Sequence, residues 1–443
     1  MVSLTESKPS KAMWLFALPL LASAIFQQLY NIADTVIVGQ FVGEDALAAV
    51  GASFPITMVF MAVAFGCNIG CSVIISQLYG GKKMCQMKTA VSTSFISFGV
   101  LSLVLTGIGL LVSTPLMRLL GTPDNIFADS MTYLNVYLAG MAFVFLYNIA
   151  TGIFTALGDS KTPLVFLIVS SVLNVVLDLV FIISFDMGVA GAAWATVISQ
   201  GVSAICAIAT LVARLKKIEC TQSEKFSFLL IKKIAYVAIP SVLQQSFVSI
   251  GNLFIQGLVN GFGSSVVAGY TAAIKLNTFT LACILTMSNA TSSFTAQNIG
   301  AGKMERLPQG FKAGMTMALC VALPFFVAFF FFSPQMIKIF LDSDSALALS
   351  TGCDFLKMTS PFYFLICLKI VIDGIFRGSG AMKLFMTSTF LDLLLRVAIA
   401  YILTPSMGVM GIWTSWPIGW SIATFVSTFC YFKKWWKPKG AMV

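Results

Sequence analysis

Mostly apolar stretches of 18 or more residues recur from one end of this 443-residue chain to the other. Each is long enough to cross about 30 Å of hydrocarbon as an α-helix. That excludes most folds at once. In lipid every backbone N–H and C=O must be satisfied without water, so spanning segments are helices or closed barrels. Barrel strands are short and alternate with period two, which these runs do not. The chain is 58% hydrophobic and 10% charged, and no soluble domain of useful size is left between the runs. The expected fold is an all-α integral membrane protein.

We read twelve spans, at about 13–39, 46–78, 89–116, 128–156, 163–185, 188–213, 232–260, 264–298, 311–340, 346–375, 383–404 and 408–432. The first is too long for a cleaved signal peptide. Charge supports the count. With the N-terminus in the cytoplasm, 21 of the 27 basic residues lie in inside segments and only Arg118 and Lys338 in outside loops. Acidic residues gather outside, at Glu44, Asp45, Asp124, Asp129, Asp186, Asp342 and Asp344. By the positive-inside rule both termini are cytoplasmic, with Lys439 near the second. The net charge of +10 comes from these flanks and speaks for anionic lipid, not nucleic acid.

The two halves repeat at an offset of about 220 residues. Pro19 and Asn31 match Pro240 and Asn252; Gln77 to Met84 matches Gln297 to Met304; Gly152 to Lys161 matches Gly374 to Lys383; Met187 to Gly191 matches Met407 to Gly411. Each repeat has six spans, an even number, so both enter the membrane in the same direction. The expectation is two six-helix bundles, 1–213 and 233–443, joined by a cytoplasmic linker at 214–232 and related by a pseudo-two-fold axis along the membrane normal.

Ten cysteines are scattered, with no CxxC pair, and there is no histidine. They read as small apolar packers, not as a zinc site or a disulfide framework. No Walker motif and no soluble catalytic domain are present, so an enzyme is not expected.

The informative polar residues lie inside the spans. Asp34 and Asp178 each interrupt an apolar run, where a carboxylate costs several kcal/mol unless protonated, paired or wet. Asn174 is four residues before Asp178 and shares its helix face. Gln27, Tyr30, Asn31 and Asp34 form a polar stripe on the first span. At about 1.5 Å per residue, Asp34, Asp178 and Thr196 fall at similar depth, roughly 10–14 Å from one surface. Two carboxylates with amide and hydroxyl oxygens can hold a proton or coordinate Na⁺. The second half lacks this set: Ile255 and Arg396 stand where Asp34 and Asn174 stand in the first. It has its own charges. Asp392 and Arg396, four apart, are expected to pair; Lys275 has no local partner and is a candidate cavity residue; Lys369 and Asp373 read as structural or gating.

These features resemble the multidrug and toxic compound extrusion family, in its DinF-like branch. The resemblance rests on twelve spans in two halves, a proline (Pro19) fifteen residues before the first-span aspartate (Asp34), the Asn174-x-x-x-Asp178 pair, Thr196 twenty-two residues after Asn174, Tyr30 one turn before Asp34, and Tyr133 in the fourth span. It implies a monomeric efflux transporter of a prokaryotic cytoplasmic membrane. Such a transporter expels amphipathic or cationic compounds by alternating access against H⁺ or Na⁺, with no cofactor. Asp34, Asn174, Asp178 and Thr196 would form the cation-coupling site, and Pro19 a bend point in the first helix. A lipid-linked oligosaccharide flippase of the same superfamily is the alternative, since Lys275, Lys357 and Arg396 supply positive charge.

Overall fold

The computed structural model describes residues 2–220, 222–341 and 345–438, so Asp342, Asp344 and Lys439 lie outside the described residues. Fifteen α-helices follow one another: α1 (Pro9–Phe41), α2 (Glu44–Gly80), α3 (Met84–Leu119), α4 (Asp124–Ala139), α5 (Met141–Ala156), α6 (Lys161–Leu179), α7 (Gly188–Lys216), α8 (Phe228–Asn260), α9 (Ser264–Gly300), α10 (Leu307–Phe331), α11 (Ser333–Lys338), α12 (Ala346–Thr359), α13 (Tyr363–Ser379), α14 (Met382–Met407) and α15 (Val409–Phe432). No strand occurs among the described residues.

Ten helical stretches are long and apolar enough to cross a membrane, and α4 with α5, bent by 47°, make an eleventh. α15 is the twelfth. Its 24 residues contain no charge, but three tryptophans and several hydroxyl residues lower its hydropathy. The expected all-helical, multi-pass membrane fold holds.

Three expected single helices are broken, each for a local reason. The ninth divides at Phe332, just before Pro334 in the first turn of α11. The fourth span divides at Gly140, where a Cβ would lie 2.4 Å from Val197 Cγ2 on α7. Only glycine allows that approach. The tenth divides at a 3₁₀ turn over Ser360–Phe362, because Pro361 cannot donate the helical hydrogen bond and its ring crowds the preceding turn. α6 is followed by a π-helical turn, Val180–Ser184, which begins two residues after Asp178.

The chain forms two compact units. The first is built from Ala22–Val242 together with the extreme N-terminus, and the second from Ser3–Leu21 and the chain beyond Leu243. α1 and α8 therefore each give turns to both units, and each division falls two residues after a proline inside the helix, Pro19 or Pro240. α1 stays helical through Pro19. In the first unit the start of α8 packs against α2, where Gly66 and Gly70 leave room for Val242 and Ala238. In the second unit the residues before α1 are held by side chains near the end of α9. Asn298 donates to Leu4 O at 3.1 Å, Lys303 to Thr5 O at 2.9 Å, and Arg306 to Ser7 O.

One expectation about cysteine is corrected. Cys85, in the first turn of α3, is disulfide-bonded to Cys220 in the connection between α7 and α8. Their sequence separation of 135 carries no spacing signal. The pairing arises because this connection lies along the first turns of α3: Glu224 N donates to Thr89 Oγ1 and Ser227 N to Thr93 Oγ1, both at 3.0 Å. The other eight cysteines are free; six are buried, and Cys206 and Cys320 are exposed.

Candidate functional site

Three helices of the first unit meet at one polar cluster. α6 carries Asn174 and Asp178, which are 1% and 0% exposed. Asn174 Nδ2 lies 3.4 Å from Thr196 Oγ1 on α7, and that hydroxyl donates to the Ala192 carbonyl at 3.1 Å. With the Asn174 amide turned to satisfy both ends, its nitrogen donates to Asp178 Oδ2 and to the Tyr30 hydroxyl, each at 3.1 Å. Its oxygen then accepts from the Thr196 backbone N–H at 3.1 Å. α1 supplies Tyr30 and, one turn later, Asp34.

The Asp34 and Asp178 carboxyls meet side chain to side chain within hydrogen-bonding contact. Ionised carboxylates only accept, so a proton or a cation between them would relieve their repulsion. One oxygen of each, Asp34 Oδ1 and Asp178 Oδ1, is buried without a hydrogen-bond partner. The cluster thus has acceptor capacity that the protein does not fill. A buried acceptor left empty costs about 1–3 kcal/mol, more when charged. Such a site can hold a proton or a small hard cation.

An apolar patch sets these helices against one another. Ile37 and Val38 of α1 pack with Ala46, Ile182, Val189 and Ala192, and Tyr133 on α4 rests on that patch. Tyr133 lies within electrostatic reach of both carboxylates. It stacks on Tyr137, with ring centroids 6.2 Å apart.

The structure therefore brings together Tyr30, Asp34, Tyr133, Asn174, Asp178 and Thr196. It does not bring in Gln27 and Asn31, which hydrogen-bond along α1: Gln27 Nε2 to Asn31 Oδ1, and Asn31 Nδ2 to Gln28 Oε1, both at 3.3 Å. Lys275 and Pro19 belong to the second unit. Lys275 is exposed, with its ammonium 5.9 Å from the Phe340 ring centroid.

Sequence reasoning missed three neighbours. Tyr137 is one turn from Tyr133. Gln200 is one turn from Thr196, and Ser171 is three residues before Asn174; Gln200 Oε1 and Ser171 Oγ are buried without partners. Their helical spacing was the available signal.

At the far end of α6, Asp159 fastens the turn after α5 to the end of α7. Its Oδ1 accepts from the N–H groups of Lys161 and Thr162 at 3.1 Å, and its Oδ2 pairs with Arg214. Burial works against the charge, but the bonds from Thr162 and Arg214 prevail and hold this carboxyl below the usual aspartate range.

The second unit has different buried charges. Lys369 and Asp373 pair on α13 at 2.6 Å. The expected Asp392–Arg396 pair is not formed: no ion pair joins them. Arg396 instead lies over Trp416 on α15, its guanidinium carbon 4.2 Å from the ring centroid. An aromatic face competed for the guanidinium, and sequence spacing does not report that partner.

The MatE family profile matches residues 19–180 and again 240–402. A probable multidrug resistance protein of Bacillus subtilis, YoeA, is 28% identical over 99% of this chain and 97% of its own. A second from the same organism, YpnP, is 30% identical over 85% of this chain and 84% of its own. A solved outward-facing multidrug resistance MATE family transporter of the MOP superfamily superposes with a TM-score of 0.92. It is 27% identical and covers 98% of this chain and 97% of its own.

Proposed function

Because this chain belongs to the MatE family, and is thus a transporter and not an enzyme, we propose that it expels amphipathic or cationic organic compounds in exchange for H⁺ or Na⁺. The observation that carries the coupling half of this reading is the contact between Asp34 and Asp178, each with a buried oxygen left over. The multidrug half is supported by the names of the two Bacillus relatives. The reading places the protein as a monomer in a prokaryotic cytoplasmic membrane with both termini inside.

Asp34 and Asp178 hold the coupling cation. Asn174 and Thr196 supply further oxygens and fix Asp178, and Tyr30 and Tyr133 close the cluster. The ion drives export only by binding the two access states with unequal affinity. Its uptake removes the repulsion between the carboxylates, which changes how α1 packs on α6; the helix re-bends near Pro19, and substrate leaves outside. Release of the ion inside resets the cycle.

A monovalent cation about 4 Å from a carboxylate gains about 4 kcal/mol at an effective dielectric constant of 20. Removing one of the two charges thus weakens ion binding by up to about three decades. The experiment is substrate efflux from proteoliposomes under pH and Na⁺ gradients imposed separately. Asp34→Asn and Asp178→Asn should lose gradient-driven transport while binding substrate. Wild-type transport by either variant rejects the coupling role, and the gradient that drives the wild type names the ion.

A further inference from the structure

The bond between Cys85 and Cys220 lies on a face where disulfides do not normally persist. Lys82, Lys83 and Lys88 flank Cys85 in sequence, and Lys216, Lys217 and Lys225 flank Cys220. By the positive-inside rule this is the cytoplasmic face, the placement on which the inference rests. Cytosolic thiols are kept reduced, and disulfides formed among them are mostly transient, catalytic or redox-sensing. A pair held within bonding distance on that face is suited to closing and reopening.

The pair is accessible. Cys85 and Cys220 are both partly exposed, and Lys82, Lys83, Glu224 and Lys225 near them in sequence are exposed. Six of the eight free cysteines are buried; Cys206 and Cys320 are exposed on α7 and α10. The surplus of ammonium groups draws an anionic reactant. Thiol–disulfide exchange runs through a thiolate, which helix N-termini and lysines stabilise.

The bond also sits where restraint has a consequence. Beyond Cys220 the connection is tied to α3 by three hydrogen bonds: Glu224 N to Thr89 Oγ1 and Ser227 N to Thr93 Oγ1, both at 3.0 Å, and Ser92 Oγ to Glu224 O at 3.4 Å. α8 starts at the next residue, Phe228. Its first turns lie against α2, where a Cβ on Gly70 would be 2.7 Å from Ala238 Cβ and 2.8 Å from Ile234 O. The helix then passes Pro240 and, from Leu243, belongs to the second unit. Closing the bond therefore fixes the entry of a helix that both units share.

We propose that Cys85 and Cys220 are a reversible redox latch, closed by an anionic low-molecular-weight disulfide, that restrains the first turns of α8 and slows transport. One cysteine's thiolate attacks a sulfur of the small disulfide, forming a mixed disulfide and expelling one small thiolate. The other cysteine's thiolate attacks the protein sulfur of that mixed disulfide, forming the Cys85–Cys220 bond and expelling the second small thiolate. The two protons lost by the cysteines go to the two thiolates released. Two protein thiols are oxidised and one small disulfide is reduced; excess small thiol reverses both steps.

The test compares the two states of the full chain. In unstressed cells, quenched in acid and labelled with a maleimide polymer, the wild type should carry two more tags than Cys85→Ser/Cys220→Ser. Treating the cells with diamide should remove both, and a reductant should restore them. On purified protein, glutathione disulfide should close the bond and glutathione open it. Amide exchange over residues 228–242 should be several-fold slower in the closed state. In proteoliposomes the closed state should transport several-fold more slowly than the open one. The double variant should match the open state in either buffer, which excludes Cys206 and Cys320 as the cause. A bond that stays closed in unstressed cells, a pair that glutathione disulfide does not oxidise, or equal exchange in the two states overturns the latch. So does equal transport by the two states of an active protein. If neither state transports, the transport reading fails by itself, and tags and amide exchange still decide the latch.

Discussion

Gly140→Ala tests whether the cluster depends on how closely the α4–α5 joint approaches α7. The added methyl would lie 2.4 Å from Val197 Cγ2 and 2.7 Å from Cγ1, against an ordinary contact of 3.4–4 Å. At least one side must retreat by about an ångström. Overpacking of that kind costs about 1–3 kcal/mol, and at about 2–4 °C per kcal/mol for a unit of this size the unfolding midpoint should fall by roughly 2–12 °C. Val197 follows Thr196 in sequence, so the same retreat moves Thr196 relative to Asn174. Ion-dependent transport should therefore weaken although no charge has changed. Val197→Ala alone opens a cavity and also destabilises. Together the two changes relieve each other, with a coupling of about 1–3 kcal/mol. The assay is a double-mutant cycle on thermal unfolding of the purified protein, with transport measured on the same four proteins. Strict additivity, or a Gly140→Ala variant as stable as the wild type, would refute the reasoning.

Other perturbations separate further parts of the molecule. Lys369→Met leaves Asp373 buried without its cation and should cost about 3–5 kcal/mol; adding Asp373→Leu should recover most of it, read as the unfolding midpoint. Asp159 contributes stability above the usual aspartate range, because its folded carboxyl ionises more readily than in the unfolded chain. Its advantage over Asp159→Asn should be full at neutral pH, shrink as pH falls below about 4 and vanish once the folded carboxyl is protonated, as followed by unfolding across pH. Reducing the Cys85–Cys220 bond, or replacing Cys85 by Ser, should speed trypsin cleavage after Lys225 several-fold, since only hydrogen bonds to Thr89 and Thr93 and from Ser92 then tie the connection to α3. An unchanged cleavage rate shows that the bond adds no restraint there.

The sequence was most readable where one physical constraint acted alone. Lipid demands long helices, so the spans followed from apolar runs, and helical spacing found Asn174 and Asp178. Where two segments compete for one group, spacing failed. Arg396 was expected to choose the carboxylate one turn away, and chose a ring on α15. Gln27 and Asn31 shared a stripe with Asp34, yet lie on the side of α1 that bonds to itself. The break at Gly140 and the bond from Cys85 to Cys220 depend on which distant segment lies alongside, and a single sequence does not record that.

The sharing of α1 and α8 between the units governs the order of assembly. Synthesis runs from the N-terminus, yet Ser3–Leu21 belongs with residues beyond Leu243. The groups that hold Leu4 and Ser7, Asn298 and Arg306, are made almost 300 residues later. The opening turns of the chain must wait in the membrane while the first unit closes over the start of α8. A polypeptide cut between α7 and α8 yields two fragments that each lack a strip of helix only the other carries. Co-expressed halves should recover function together, and neither should fold alone.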